Sequence, residues 1–288
     1  MARIAVVGVG AIGATVAAAL QRAGGHDLVL CARRRAVNIA VERPDGERVV
    51  LEAPVVVEPG RAGGPADWVM LAVKAHQTEG AAPWLRALCG SGTTVVVLQN
   101  GIDHVERVGP LAGAATVLPT VNWCPVEPAA GGYRQRGPLR LLVPAGGERL
   151  GKLFGDEADV DAGGDFATAA WDKLCANAVA GILAATGRRT EVLSMPDVRE
   201  LAEAMAVECA AVARAAGAAL SDDAARATVA QLVAMPPDSG TSILADREAR
   251  RPLEWEARNA AVGRIARRHG IATPACDAVS ALLHAVSA

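Results

Sequence analysis

Apolar residues are spaced differently in the two halves of the chain. Through the first half they form short, almost uninterrupted runs, of which WVMLAVK at 68–74 and TTVVVLQNG at 93–101 are the clearest. Runs of this kind are typical of parallel strands that are buried on both faces of a sheet. From FATAAWDKL at 166–174 onward, the apolar residues recur with helical spacing instead. The pattern predicts a sheet-forming first half and a helical second half.

The ends of several elements can also be predicted. TVLPTVNWCPVEP and LRLLVPAG predict strands that extend the sheet, with AAGGYRQRG at 129–137 as a loop between them. In the second half, a helix is predicted to begin with Ser194 as N-cap and Pro196 in its first turn, and to end at Gly217. A last helix is predicted to begin at Thr273 in the same way.

A strand, a glycine turn and a helix open the chain in that order. The segment GVGAIG lies between an apolar run and an Ala-rich helical stretch, which is the context that a G-x-G-x-x-G motif requires. Gly8 permits a tight turn, Gly10 lets the backbone approach a pyrophosphate, and Gly13 allows the helix to pack closely on the strand. The first helical residues, Ala11 and Ile12, offer backbone N–H groups to phosphate. A glycine-rich turn without a ligand is the alternative.

Arginines after the second strand indicate which dinucleotide would bind. Arg33, Arg34 and Arg35 stand where an NAD site usually has an acidic residue for the ribose 2′-hydroxyl. Because arginine suits a 2′-phosphate, the sequence favours NADP(H), with Arg33 as the main contact. A solvated basic turn is the other interpretation.

Polar residues also follow the next two strands, with Lys74 and Gln77 after one and Asn100 after the other. Ligands of open α/β sheets bind beyond the carboxyl ends of the strands, so these side chains are expected to border the cofactor. The sequence therefore predicts an α/β protein. Its N-terminal Rossmann-like dinucleotide-binding domain is expected at 1–165, and an all-α C-terminal domain at 166–288.

Composition and charge exclude some classes of function. The formal net charge of the 288 residues is -2 and the basic residues are scattered, so the basic patch of a nucleic-acid-binding protein is missing. The six cysteines lack metal-ligand spacing, which predicts no metal site and buried thiols in a reducing compartment. No apolar run reaches the length of a membrane span. We expect a cytoplasmic protein without a membrane partner, and the apolar helices would allow a homodimer.

Lys173 and Asn177 lie four residues apart in WDKLCANAVAG, so a helix would present both on one face. A desolvated lysine has a lowered pKa and can act as a general acid, and its ammonium can stabilise an alkoxide. A lysine that extends its charged end into solvent is the alternative. Further along, Glu254 and Ser242 are candidates of the same kind, although each alone would more often be a cap or a surface residue.

These motifs together resemble those of the ketopantoate reductase family. The resemblance covers almost the whole chain, in the order GVGAIG, VKAHQ, LQNG, KLCAN, TSILADREARRPLE and NAAVGRIARRHGIATP. Their order and spacing are specific, whereas no single motif is. The resemblance implies that NADPH reduces a small 2-oxo acid, ketopantoate (2-dehydropantoate), to its 2-hydroxy acid in the pantothenate pathway.

The resemblance also implies roles for single residues. Lys173 corresponds to the general acid that protonates the carbonyl oxygen while the nicotinamide delivers hydride to the carbon. Glu254 corresponds to the acidic partner that holds the hydroxyl end of the substrate. The remaining residues orient the substrate or contact the cofactor. Those that orient the substrate are Asn100, Asn177 and Ser242. Those that contact NADPH are Arg33, Lys74 and Gln77, and Asn100 also borders the cofactor.

One position departs from the family pattern. Members that act on ketopantoate usually have a second asparagine four residues after the first, and this sequence has Gly181 there. Water could replace the missing amide, or the pocket could accept a bulkier or different 2-oxo acid. A reductase of another 2-oxo acid or ketone, and a regulator that senses NADP without turnover, therefore remain alternatives.

Overall fold

The computed structural model describes residues 1–35 and 39–287, and the chain forms two compact units. The first unit comprises residues 1–99 and 104–166. The second comprises Asn100–Asp103 and the chain from Ala167 onward. The tetrapeptide Asn100–Asp103 therefore packs with helical residues that are distant from it in the sequence.

The first unit contains all the strands of the described residues. In chain order they are β1 (Ala2–Val7), β2 (His26–Cys31), β3 (Ala40–Glu42), β4 (Arg48–Val50), β5 (Val55–Val56), β6 (Trp68–Leu71), β7 (Thr94–Val97), β8 (Thr116–Pro119), β9 (Val121–Trp123), β10 (Val126–Ala129), β11 (Gly132–Gln135), β12 (Arg140–Leu142) and β13 (Asp159–Asp161).

Six of these strands form one parallel sheet in the order β5-β2-β1-β6-β7-β8. Its central strands β6 and β7 are almost completely buried, as their unbroken apolar runs predict. The chain runs outward from β1 through β2 in one direction and from β6 through β7 in the other. The strand order thus reverses between β1 and β6, and such a switch point is where open α/β sheets bind ligands.

The region after β8 differs in part from the prediction. The strand β8 extends the main sheet, but β9 pairs with β12 in a separate sheet that also contains β13. The prediction of a loop at 129–137 is wrong, because β11 lies there and forms a hairpin with β10. The turn of this hairpin is Ala130-Gly131, in which Gly131 has a positive φ, and Gly132 already begins β11 and pairs with Ala129.

Helices cover the main sheet and make up the second unit. They are α1 (Ala11–Ala23), α2 (Ala82–Leu88), α3 (His104–Ala112) and α4 (Gly151–Phe154) in the first unit, and α5 (Phe166–Val179), α6 (Gly181–Thr186), α7 (Pro196–Ala215), α8 (Asp222–Val233), α9 (Ser242–Glu248), α10 (Ala261–Arg268) and α11 (Pro274–Ala285) in or entering the second. Short 3₁₀ turns lie at Pro59–Arg61, Ala75–Gln77, Glu79–Ala81, Glu148–Leu150, Gly155–Glu157 and Thr190–Ser194, and a π turn at Glu256–Ala260 leads into α10.

The predicted helix starts are close to the observed ones. Pro196 is the first residue of α7, but its N-cap is Met195 and not Ser194, which ends the preceding 3₁₀ turn. The 3₁₀ turn uses the backbone of Ser194, so the cap falls one residue later. The last helix begins after Thr273 as predicted.

Buried side chains of α5, α6, α7 and α11 form the core of the second unit. None of the helices in the described part of the chain combines the length and the apolar character of a membrane span. The described residues also contain no group of three or more His, Cys, Asp and Glu side chains arranged to hold a metal ion.

Candidate active site

The loop between β1 and α1 holds its three glycines in different surroundings. Gly8 has a φ of +96°, and a Cβ there would lie 2.7 Å from the backbone N of Val73. A Cβ on Gly13 would lie 1.9 Å from the carbonyl O of Gly8, so only glycine lets α1 pack this closely. A Cβ on Gly10 would meet nothing within 4 Å. Gly10 therefore borders open space, as the middle glycine must if a ligand approaches the backbone.

The amino end of α1 offers backbone donors to an anion. Gly10 precedes the helix without a side-chain cap, and the first turn, which starts with Ala11 and Ile12, contains no acidic residue. The N–H groups of this turn and the positive end of the helix dipole therefore lie beside the open space at Gly10. A pyrophosphate fits here because no carboxylate and no Cβ competes with it.

The basic turn after β2 lies at the same edge of the sheet. Arg33, Arg34 and Arg35 are exposed. The strand β2 pairs with β1, and the N–H of Gly8 donates to the carbonyl O of Cys31 at 2.9 Å. Three exposed guanidinium groups thus follow the strand that pairs with β1, and their chemistry suits a phosphate.

Lys74 and Gln77 lie in the loop after β6, and both are half-buried. The strand β6 is the other neighbour of β1, so this loop also lies at the switch point. The N–H of Gln77 donates to the carbonyl O of Lys74 at 2.8 Å and closes the turn. Gln99 fixes the loop from β7, because its Nε2 donates to the carbonyl O of Val73 at 3.0 Å.

In the second unit, α5 carries Lys173 and Asn177 one turn apart. Both are half-buried, whereas Leu174 on the inner side of the same helix is buried. On the other side, Oγ1 of Thr228 donates to Oδ1 of Asp172 at 2.7 Å and fixes α5 against α8. The helix therefore holds an ammonium and an amide on one face of a rigid support.

Glu254 and Asn100 meet in the second unit although 154 residues separate them in the sequence. Nδ2 of Asn100 donates to Oε2 of Glu254 at 3.2 Å, and Glu254 is only 3% exposed. An ion pair of 2.7 Å between Arg264 and Asp103 holds the tetrapeptide Asn100–Asp103 to α10. Asn100, which we predicted for both cofactor and substrate, thus contacts another substrate candidate.

An unpredicted arginine links Ser242 with Glu254. Nη2 of Arg258 donates to Oγ of Ser242 at 2.9 Å and lies 3.9 Å from Oε2 of Glu254. Arg258 is 2% exposed. Burial lowers the pKa of its guanidinium, the carboxylates of Glu254 and Asp246 counteract that effect, and an arginine stays protonated even so.

Two family descriptions match the chain. Ketopantoate reductase PanE/ApbA matches residues 4–146, and Ketopantoate reductase PanE/ApbA C terminal matches residues 165–287. A 2-dehydropantoate 2-reductase of Mycobacterium tuberculosis is 44% identical over 288 residues, which cover 99% of this chain and 97% of that protein. The chain belongs to the ketopantoate reductase family. Its members are NAD(P)-dependent oxidoreductases, and the resemblance inferred from the motifs is confirmed.

Solved structures confirm the α/β fold with a Rossmann-like first part and a helical second part. A 2-dehydropantoate 2-reductase from Geobacter metallireducens has a TM-score of 0.89 at 27% identity, with 98% of this chain and 99% of that chain covered. D-mandelate dehydrogenase, solved with NADH and anilino(oxo)acetate, has a TM-score of 0.86 at 20% identity, with 99% of this chain and 98% of that chain covered. The second likeness shows that the ketopantoate reductase fold also occurs in a dehydrogenase of another name.

Gly181, where the ketopantoate reductase pattern has a second asparagine, lies against an amide from another segment. Gly181 begins α6, and a Cβ there would lie 2.6 Å from Nδ2 of Asn259 and 3.0 Å from Cδ1 of Leu283. Asn259 is fully buried, and its Nδ2 donates to the carbonyl O of Ala178 at 2.8 Å. The space beside Gly181 is therefore lined by a buried carboxamide from the π turn.

Proposed function

We propose that this protein catalyses the NADPH-dependent reduction of 2-dehydropantoate to pantoate. The observation that carries the proposal is the hydrogen bond from Asn100 to Glu254, because it joins two proposed substrate residues from distant parts of the chain. A carboxylate oriented by an amide can accept a hydrogen bond from a substrate hydroxyl. The 44% identity to a 2-dehydropantoate 2-reductase along the whole chain supports the same activity.

Lys173 is the proposed general acid. The half-buried face of α5 partly shields its ammonium from water, which strengthens its interaction with a carbonyl oxygen. As the carbonyl carbon is reduced, the ammonium stabilises the developing alkoxide and gives it a proton. Asn177, one turn further along α5, holds the substrate in the orientation that this transfer needs.

The remaining substrate residues hold the polar groups at the ends of the substrate. Glu254 accepts a hydrogen bond from the hydroxyl group, and Asn100 fixes the carboxylate of Glu254. Ser242, at the start of α9, donates to the anionic group of the substrate. These assignments follow the family pattern and agree with the chemistry of each side chain.

NADPH supplies the hydride when it is bound, and the first unit has residues that fit it. Gly8, Gly10, Ala11, Ile12 and Gly13 form the proposed pyrophosphate site. Arg33 contacts the 2′-phosphate, with Lys74 and Gln77 near the adenosine phosphate. We accordingly propose residues 1–165 as the NADP-binding domain and residues 166–288 as the substrate and catalytic domain.

The proposed location is the cytoplasm. None of the six cysteines, all of which lie in the described part of the chain, forms a disulfide bond, as suits a reducing compartment. We also propose a homodimer, because the helices of the second unit are fairly apolar, and light scattering of the purified protein would measure its mass.

A steady-state survey of 2-oxo acids tests the proposed reaction. Initial rates are measured with 2-dehydropantoate, 3-methyl-2-oxobutanoate and phenylglyoxylate, each with NADPH and with NADH. We expect the highest kcat/KM for 2-dehydropantoate with NADPH. A value no higher than that of another branched 2-oxo acid would overturn the substrate assignment, and equal or better use of NADH would overturn the cofactor assignment.

A reductase of a different 2-oxo acid is the second candidate function. The glycine at position 181 favours it, because members of the family that act on ketopantoate usually have a second asparagine there. The same survey distinguishes the two candidates. A regulator that senses NADP without turnover would instead bind NADPH but reduce none of the acids, and Lys173→Ala would leave its function intact.

A further inference from the structure

Arg258 is a buried charge that the proposed mechanism does not yet use. It lies in the π turn Glu256–Ala260, between the buried residues Ala257 and Asn259. Its Nε has no hydrogen-bond partner among the described residues. Removing a guanidinium from water is costly, and an apolar side chain of similar size would fill a helical interior at lower cost. The charge therefore calls for an explanation beyond packing.

The two groups next to Arg258 are both proposed substrate residues. Nη2 of Arg258 donates to Oγ of Ser242 at 2.9 Å, and the same nitrogen lies 3.9 Å from Oε2 of Glu254. Asn100 donates to that same carboxylate oxygen. One guanidinium thus forms a hydrogen bond with Ser242 and an ion pair with Glu254, the residues proposed to bind opposite ends of the substrate.

The hydrogen bond to Ser242 determines what the serine hydroxyl can do. A hydroxyl has one hydrogen to donate and two lone pairs that accept. Because Oγ accepts from Arg258, its own hydrogen remains to be donated to another group. Ser242 is exposed, and a cation behind its hydroxyl strengthens donation to an anion.

The proximity to Glu254 has a second consequence. A positive charge close to a buried carboxylate favours the ionised form, and Asn100 donates to that form. An ionised carboxylate only accepts hydrogen bonds. Glu254 therefore suits a substrate hydroxyl and repels a second carboxylate.

We propose that Arg258 is a positioning residue that makes Ser242 the donor to the carboxylate of a 2-oxo acid and keeps Glu254 the acceptor for its hydroxyl group. The inference rests on the proposed function and deepens it. It predicts that the substrate is an anion with a hydroxyl at its far end, because a neutral ketone would leave the charge-assisted donor without an anionic acceptor.

A double-mutant cycle with Ser242 tests this role. Arg258→Met and Arg258→Lys are each made in the wild type and in Ser242→Ala, and kcat and KM are measured for 2-dehydropantoate and for NADPH. We expect Arg258→Met to raise the KM for 2-dehydropantoate by about 10-fold or more, as for a lost charge-assisted hydrogen bond. The KM for NADPH should stay unchanged. In the Ser242→Ala background the same change should raise the substrate KM much less, because the partner is already gone.

Arg258→Lys keeps the charge and should recover part of the loss, and it serves as the test variant if Arg258→Met does not fold. Arg267→Met is the matched control. Arg267 lies on α10 with an exposed side chain and a carboxylate partner, Asp277, at 3.7 Å, so its loss should not change the substrate KM.

Equal effects of Arg258→Met in the two backgrounds would overturn the proposal, as would a parallel loss of kcat, NADPH binding and thermal stability. If the wild type prefers another 2-oxo acid, the proposed reaction fails, and the same cycle run with that acid still decides the role of Arg258. A wild type that reduces none of the acids would overturn both.

Discussion

The glycine loop of the first unit and the polar group around Glu254 in the second differ in how they are made. The loop offers backbone N–H groups and the uncapped end of a helix, and Gly10 borders open space. Around Glu254, the working groups are side chains from several segments, and two of them are buried charges. A site made of backbone N–H groups requires open space for the ligand beside the backbone, whereas a site made of side chains requires hydrogen-bond and ion-pair partners that hold those side chains in place. Substitutions should therefore damage the two regions in different ways.

The largest effect is expected from Lys173→Ala. Loss of a general acid should lower kcat by roughly 10²-fold or more, while NADPH affinity changes little. Stopped-flow and fluorescence titration with NADPH measure the two quantities. Lys152→Ala, which removes an exposed lysine of the first unit, should leave both unchanged. A loss of NADPH affinity equal to the loss of kcat would contradict the assignment to the substrate side.

Arg33→Ala should weaken the discrimination between the two dinucleotides. Removing a charge-assisted contact to the 2′-phosphate should raise the Kd for NADPH by about 10-fold or more and leave the Kd for NADH almost unchanged. Arg34→Ala is the control, since Arg34 is equally exposed but is not the predicted contact. An unchanged preference in Arg33→Ala would remove the argument for NADP.

A comparison of Gly13→Ala with Gly10→Ala distinguishes a loss of helix packing from a loss of space for the ligand. The new Cβ at Gly13 would lie 1.9 Å from the carbonyl O of Gly8, so α1 or the loop must move. We expect a loss of about 1–3 kcal/mol of unfolding free energy and weaker NADPH binding. Gly10→Ala has room for its methyl group, so it should keep its stability and lose only NADPH affinity. Urea unfolding measures the stability of both variants, and titration with NADPH measures their affinity. Equal stability of the two variants would contradict the close contact between Gly13 and Gly8.

The smallest effect is expected at Gly181. Gly181→Ala places a methyl group 2.6 Å from Nδ2 of Asn259, which must shift and weaken its bond to Ala178. The expected cost is about 1 kcal/mol, and a downward shift of the unfolding midpoint measures it. Gly181→Asn should also destabilise and should not raise activity, because an amide already occupies the space. A gain in kcat/KM in that variant would show that Asn259 does not replace the family asparagine.

Backbone features could be predicted where one residue type has one physical use. Gly8 and Gly13 are needed for a turn and a close contact that exclude any Cβ, so their spacing predicted the loop correctly. The segment around Gly131 was misread because a glycine suits a loop and a hairpin turn equally well. Long apolar runs predicted β6 and β7 for a similar reason, since few other structures bury every residue.

Side-chain partnerships were harder to predict. An arginine four residues after a glutamate is typical of an exposed ion pair on a helix, so the pattern does not predict Arg258 as a site residue. The π turn buries Ala257, Arg258 and Asn259 in succession, which a period of 3.6 residues does not anticipate.

A different signal was present in the sequence. Only three lysines occur among 29 basic residues, and they are Lys74, Lys152 and Lys173. Arginine does not release its proton at neutral pH, so among the Lys and Arg side chains only the lysines can act as a general acid. Lys152 is exposed, so the count reduces the candidates for the general acid to the half-buried Lys74 and Lys173.

The buried thiols give each unit its own reporter of local opening. Burial raises the pKa of Cys31 in β2 to about 12, and Cys175, two residues from Lys173, is fully buried in α5. Because thiolates are the reactive species, neither should react with a small disulfide reagent until its surroundings open. The labelling rate of Cys31 would follow fluctuations of the central sheet, and that of Cys175 fluctuations of the helix that carries the proposed acid. The opening kinetics of the two regions can thus be compared within one unmodified molecule, with and without nucleotide.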